Sequence, residues 1–391
     1  MRAGFTGSVG NYRRSRTFAA VVAAVATVLF GVTACGSGSN TKSSDVAASS
    51  VNAPILSTLT GSEHDRVAKL IAQAQNEGAL AWIDSVVVGA EKPLEQEFMK
   101  EYGLPNIKIT LERLSTTQIS ARLQQEATSR KITTDVVGTA SQELFSSLKA
   151  AGSLLQYSSP ELSAYQGTDK YLSDDFGYWV SPDAYAMLPV YNPSEVPNGI
   201  SSWQDLINPA FKGKLDIGDA GASESALYSY IGLRSVLPVS YFQQLEAQGV
   251  SVAEGGSAAE TQKVAQGGVD IAITSSFRTG QTSTQLGVPL SVAYPSEGVV
   301  MLGQSYGIMA NSPDPAAAQL FEDFLLSKAG QQIYVDNEGV TPARSDVTMP
   351  ADQQKYSPAS LTAVKVIPVD WSMPADQVAK YRTEWNNIFK R

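Results

Sequence analysis

The chain has 391 residues, 43% hydrophobic and 17% charged, with 31 glycines, 19 prolines and a formal net charge of −9, the composition of a globular protein of about two domains. One cysteine excludes a disulfide scaffold and a thiolate zinc site, and one histidine excludes a polyhistidine metal centre. The acidic balance argues against nucleic acid as a partner, because phosphate contacts need clustered Lys and Arg to displace counterions, and no such cluster occurs beyond the N-terminus.

Residues 1–16 carry Arg2, Arg13, Arg14 and Arg16 and no acid, and residues 17–32 form an almost wholly apolar run. This is the layout of a secretory signal, and the run is shorter than the roughly 20 residues a membrane span wants. Val32, Thr33, Ala34, Cys35 and Gly36 resemble the bacterial lipoprotein signal box. That resemblance implies removal of residues 1–34 and lipidation, with palmitate, of Cys35 as an anchor on the extracytoplasmic face of the cell membrane. Losing residues 1–34 takes away four of the 29 basic side chains and none of the 38 acidic ones, so the remainder stands at −13. Residues 35–55 are rich in Ser, Gly, Ala and Asn, the composition of a flexible tether. His64 lies just beyond, in an exposed-looking GSEHDR stretch, and offers no general base.

From Leu80 short apolar runs alternate with amphipathic ones, the α/β signature. The first is a strand at 80–83, followed by a helix at 93–102 with Leu94, Phe98 and Tyr102 on one face and a strand at 107–111. A helix at 117–130, a strand at 135–137 and a helix at 142–151 complete the first unit. This alternation predicts a parallel sheet with right-handed crossovers, and ligands on such sheets bind beyond the carboxyl ends of the strands. After Trp179 come a strand at 184–191, a Ser202-x-x-Asp205 capping box opening a helix, and a strand at 215–217. A helix at 258–266 stopped by Gly267, a strand at 269–273 and a helix opened by Asp314 and Pro315 follow.

Several stretches in this order resemble the solute-binding proteins of ABC importers, in the branch that holds ferric-ion, phosphonate, sugar-phosphate and polyamine binders. They are Asp135-Val136-Val137 with LKAAGSLLQY, SWQDLINPAFKGKL at 202–215, GASESALYSYIG at 221–232, GGVDIAITSS at 267–276, YPSEGVV at 294–300 and ANSPDPAAAQLFEDFLLSKAGQQIY at 310–334. The resemblance implies a two-lobed periplasmic-binding-protein-like α/β fold with a hinge and an interlobe cleft. Lobe one would be 56–183 plus 301–391 and lobe two 184–300, with crossing segments near 181–185 and 298–302. The segment 371–391, with Trp385 and Phe389 at helical spacing, would pack on lobe one. A permease and a small-molecule ligand would be the partners of a monomer that uses no cofactor or metal and catalyses nothing.

Cleft residues should lie in loops after strands and at helix N-termini, where free N–H groups and the dipole favour anions. The candidates are Asp84 and Ser85, Ser115 and Thr116, Thr139 and Ser141, and Ser223, Glu224 and Ser225, with Tyr185 on the crossing strand. Plain capping is the alternative role for each hydroxyl. Ser276 and Arg278 end the strand at 269–273, where ferric-ion binders of the resembled family carry adjacent tyrosines. An arginine does not hold Fe(III); it offers a fork of donors to phosphonate, phosphate or carboxylate, or else an internal salt bridge to a residue such as Glu260 or Asp84. Asp84, Asp183 and Glu224 with Trp179 and Tyr185 could form an anionic, aromatic cage for an amine. Together these residues point to an anionic or zwitterionic solute, with polyamine and ferric ion as alternatives. No G-x-S-x-G elbow, nucleophilic cysteine or metal-ligand set supports an extracytoplasmic enzyme, and a sensor subunit would share the fold.

Overall fold

The computed structural model describes residues 51–391 apart from Val86, 166–176, 254–255, 276–277, 372 and 390–391. The leader, Cys35, most of the tether and Ser276 lie outside the described residues.

The alternation of the sequence becomes an alternation of elements. α1 (Gly61–Glu77) stops at Gly78, whose φ of 74° suits a residue without a Cβ. β1 (Ala79–Asp84), α2 (Glu91–Glu101), β2 (Lys108–Arg113), α3 (Thr116–Ser129), β3 (Val136–Thr139) and α4 (Gln142–Ala150) follow, each within a few residues of its expected place. β1 pairs in parallel with β2 on one side and β3 on the other. Then come β4 (Val180–Tyr191), β5 (Leu215–Gly218), α5 (Glu224–Arg234), α6 (Val239–Ala247), β6 (Ser251–Ala253), α7 (Gly256–Ala265), β7 (Ile271–Ser275) and α8 (Thr279–Leu286). β5 lies parallel to β6 and β7. The chain continues through β8 (Ser291–Val292), β9 (Val299–Ile308), α9 (Pro315–Leu326), α10 (Lys328–Glu338), β10 (Thr341–Pro342), β11 (Val366–Ile367) and α11 (Ala375–Phe389). The Ser202 capping box is present but opens only a 3-10 turn at Trp203–Ile207. Pro209 holds Asn208 in an extended conformation and stops it.

The strand order is β2-β1-β3-β9-β4-β7-β5-β6, in which the parallel sheet expected of the first unit is present as β2-β1-β3 and a second parallel set is formed by β7-β5-β6. β9 enters antiparallel to β3, and β4 runs antiparallel to β9. Residues 180–187 of β4 pair with β9, whereas Leu188, Val190 and Tyr191 pair with β7. A register shift between Leu188 and Val190 marks the passage of β4 from one half of the sheet to the other. The expected crossing segments fall on β4 and on the start of β9.

The first half is built around α9, whose Phe321 is fully buried. Its ring lies 5.0 Å from Trp82 of β1 and 5.2 Å from Phe98 of α2, the latter edge-on, the geometry that aromatic quadrupoles favour. The terminal helix departs from expectation. α11 packs on α5 and α6, with Trp385 edge-on to Tyr230 at 5.1 Å and Glu384 accepting from Arg234 Nε at 2.8 Å. Its buried Val378, Trp385 and Phe389 form one apolar stripe that finds its partner surface in the second half, which helical spacing alone could not specify.

Replacing Phe321 with alanine should cost about 3–5 kcal/mol of unfolding free energy through the transfer and cavity terms of a large buried ring. Urea unfolding followed by tryptophan fluorescence measures it, and a loss below about 1 kcal/mol would contradict the packing described.

Candidate functional site

The carboxyl ends of β1 and β3 and the first turns of α3 and α4 meet in one place. Thr139, at the end of β3, is buried and its Oγ1 is the centre of a hydroxyl cluster. It accepts from Ser85 Oγ at 3.0 Å and from the Ser141 backbone N–H at 3.3 Å, and lies 3.1 Å from Thr116 Oγ1. The hydroxyls of Ser115 and Ser141 cap their helices, accepting from Gln118 N–H at 3.3 Å and Leu144 N–H at 3.2 Å, which is the capping role weighed for them. Asp84 is fully buried instead of lining the opening. Its Oδ1 accepts from Val87 N–H at 2.9 Å and its Oδ2 from Trp82 Nε1 at 3.2 Å. Gly138 is required beside it, since a Cβ there would collide with the Asp84 carboxylate and the Tyr306 ring.

On the facing side, Ser223 caps α5 and lies 3.0 Å from Ser225 Oγ. Burial pushes the phenol of Tyr185 above its ordinary value, with the Ser225 hydroxyl opposing the shift. Glu224 Oε1 accepts from Arg382 of α11 at 2.6 Å. A cleft of about 650 Å³ opens here, lined by Thr116, Ser141 and Glu143 from one side and by Glu224 and Arg382 from the other. Its volume falls in the range of about 300–1,000 Å³ typical of small-molecule sites. Burial and the charge of Glu224 raise the Glu143 carboxyl above its ordinary value, and Arg382 opposes them. A groove of about 630 Å³ between α6 and α11 holds none of the expected loops.

Arg278 lies elsewhere. It has a left-handed φ of 59° at the start of α8 and is not among the residues lining the cleft. NH1 of its guanidinium bonds Glu338 Oε2 at 2.6 Å and the Asn337 carbonyl at 3.2 Å, so its ion-pair partner is neither Glu260 nor Asp84. Glu338 Oε1 accepts from the backbone N–H groups of Val88, Gly89 and Ala90 at 2.9, 2.6 and 2.8 Å. The buried carboxylate is thereby fully satisfied, and removing one partner of such a pair typically costs about 3–5 kcal/mol. Gly89 lets the guanidinium approach the backbone, since a Cβ there would lie 2.7 Å from Arg278 NH1 and displace it.

The amine cage is not assembled. Trp179 stacks on Phe145 and donates to Gln142, and Glu224 is tied to Arg382 on the far wall. Asp183 is fully buried on β4, with neither carboxylate oxygen in a hydrogen bond to the described residues. Burial, then the charges of Glu338 and Asp84, hold it well above its ordinary value, and Gln331 lies near enough to oppose the shift without a well-formed hydrogen bond. Tyr306 and Tyr334 stand beside this cluster with hydroxyls 2.5 Å apart, both phenols pushed well up by burial and by Asp84. Sequence reasoning missed Glu143, Glu338 and Arg382. Glu143 was within reach, two residues after the Ser141 cap and in the first turn of α4; the other two had no local signal.

Asp183 gives a testable sign. An acid whose value is raised on folding keeps its proton in the folded chain, so its stability contribution is lost as pH rises from 3.8 through the folded value. Asp183→Asn should therefore raise the melting temperature at pH 7.5 by more than at pH 4, read by differential scanning calorimetry at both.

The sequence profile of bacterial extracellular solute-binding proteins matches residues 86–337. Among solved structures, the fold is similar to the periplasmic binding protein AfuA from Actinobacillus pleuropneumoniae, bound to exogenous fructose-6-phosphate, at TM-score 0.68 and 20% identity over 80% of this chain and 99% of that one. It is also similar to iron-bound HitA from Pseudomonas aeruginosa, at 0.63 and 17% over 79% and 99%. Apo ferric ion-binding protein A from Pasteurella haemolytica matches at 0.65 and 14% over 80% and 98%. These likenesses establish the two-lobed periplasmic-binding-protein fold. With well over half of its length matched to the profile, the chain belongs to the bacterial extracellular solute-binding proteins, the binding subunits of ABC importers that its sequence resembles.

Proposed function

We propose that the protein captures a small anionic or zwitterionic solute, of the phosphonate, phosphate-ester or carboxylate type, in the cleft and delivers it to a membrane permease. The supporting observation is the convergence of Ser85, Thr116, Thr139 and Ser141 where α3 and α4 begin beside a cleft of about 650 Å³. Hydroxyls and helix N-termini present donors and positive dipole ends, which suit anionic oxygens. Glu143 and Glu224 offer the complementary place for an ammonium group, where a cation opposes both the burial and the Glu224 repulsion that raise Glu143. Arg278 then acts through the fold, holding the β7–α8 turn to Glu338, instead of touching the solute.

In this reading the lobes divide at β4 and at the start of β9, and α11 moves with the second lobe. A solute favours closure only by contacting both sides, as one spanning Thr116 and Glu224 would. The protein works as a monomer without cofactor or metal and returns its solute chemically unchanged. Cys35 carries the lipid that keeps it at the membrane.

A thermal-shift screen of phosphate, methylphosphonate, aminoethylphosphonate, glycerol phosphate, glutamate, spermidine and ferric citrate tests the ligand class. A ligand at 100 times its Kd adds about 2.7 kcal/mol. An anion or zwitterion should shift the melting temperature, with Thr116→Val weakening binding by about fivefold for one lost hydrogen bond. Stabilisation by spermidine or ferric citrate alone would overturn the reading. Labelled palmitate should be incorporated into the wild-type chain in its host cells and not into Cys35→Ser.

A further inference from the structure

We propose that Arg382 of the terminal helix is the cleft's charged anion-binding side chain, so that a segment lying beyond the matched 86–337 sets ligand class. The inference rests on the anion reading of the cleft and deepens it. Among the described residues lining the cleft, Arg382 is the one cation. It is held by more than its own contacts. Trp385, one turn on, is buried against Tyr230, and Glu384 is bonded by both Tyr230 OH at 2.6 Å and Arg234 Nε at 2.8 Å. The helix therefore presents the guanidinium at a fixed place, and pre-ordering a long side chain lowers the cost of binding.

The guanidinium's bonds leave capacity. NH1 donates to the carbonyls of Gly221 at 2.9 Å and Ala220 at 3.4 Å, and NH2 donates to Glu224 Oε1 at 2.6 Å. A guanidinium carries five N–H donors, so the Nε–H and a second NH2 hydrogen have no partner among the described residues. These two can meet two oxygens of one phosphonate, phosphate or carboxylate, the bidentate geometry that makes arginine selective for such groups. The side chain is 30% exposed, which leaves it open to a solute while its partners hold it. Its charge also reaches the opposite wall, where it opposes the raised value of Glu143 at the start of α4. An anion between the Thr116 hydroxyl and Arg382 would thus touch both sides of the cleft. Glu224 is the resident counter-ion with which it shares the guanidinium, and the second oxygen of Glu224 is buried without a hydrogen bond.

Isothermal titration of the full chain with inorganic phosphate and with methylphosphonate, neither of which has an ammonium group, tests this. Arg382→Ala should weaken whichever anion binds the wild type by about tenfold or more, as expected for a charge-assisted hydrogen bond, and Arg382→Lys should recover part of the loss. Glu224→Gln should tighten binding, because it removes the competing carboxylate while keeping the shape of the wall. This opposite sign separates the proposal from a merely structural arginine, whose loss of Glu224 would weaken binding or leave it unchanged. If Arg382→Ala does not fold, Arg382→Lys and Glu224→Gln decide. Anion binding that falls in Thr116→Val but stays within about twofold in the Arg382 variants, less than one hydrogen bond is worth, overturns the role of Arg382 and leaves the anion reading standing. A wild type that binds neither probe and is stabilised only by spermidine or ferric citrate overturns both.

Discussion

β4 and β9 run antiparallel through the middle of the sheet and are buried along almost their whole length. Everything that positions the cleft depends on that pairing. β3 lies on one side of it and β7 on the other, so each half of the molecule hangs its parallel strands from one member of the pair. The carboxyl ends of β1 and β3 and the first turn of α5 then reach opposite sides of one opening. Parallel strands need long crossovers, and these crossovers are the helices whose first turns carry Thr116, Ser141 and Ser223. The register of β4 shifts between Leu188 and Val190, where its pairing has passed from β9 to β7.

Two sets of charges surround this frame, and they differ in solvation. Glu338 is buried but receives three backbone N–H groups and the guanidinium of Arg278, so its charge is satisfied without solvent. That pair links the β7–α8 turn to the start of α2 and the end of α10. Asp183 has no such partners, and burial beside Glu338 and Asp84 drives it toward the neutral form. Glu224 and Arg382 stand between these extremes, ion-paired but partly exposed at the cleft. Such a pair can exchange partners with a solute at modest cost, because water and the solute share the task of solvating it.

The hydroxyl wall was legible because its parts are local. Ser115 and Ser141 announce helix starts by their position before apolar periodic runs, and a strand end that faces a helix start places Thr139 beside Ser85 and Thr116. The second wall was legible only in part. The Ser223-Glu224-Ser225 start of α5 could be read, but not that Glu224 would be engaged from 158 residues away by Arg382. Arg278 was visible as an arginine at a strand end, but its partner Glu338 lies 60 residues on, and that partner's other bonds reach back about 250 residues. Side chains that long and flexible reach any acid the fold brings near. No spacing rule chooses among Glu260, Asp84 and Glu338.

The sequence by itself determined most of the elements from Leu80 onward, their α/β alternation and the family, though not α1, because periodicity, caps and strand-end composition act over a few residues and survive in any arrangement of them. It also determined that a hydroxyl-rich set of helix starts would follow the strands of the first half. The tertiary structure alone decided that β9 and β4 enter the sheet antiparallel, that α11 packs on the second half instead of the first, and which carboxylate each arginine pairs with. Those outcomes depend on contacts between residues far apart in sequence, whose free energy is settled by burial and shared solvation and not by any local pattern.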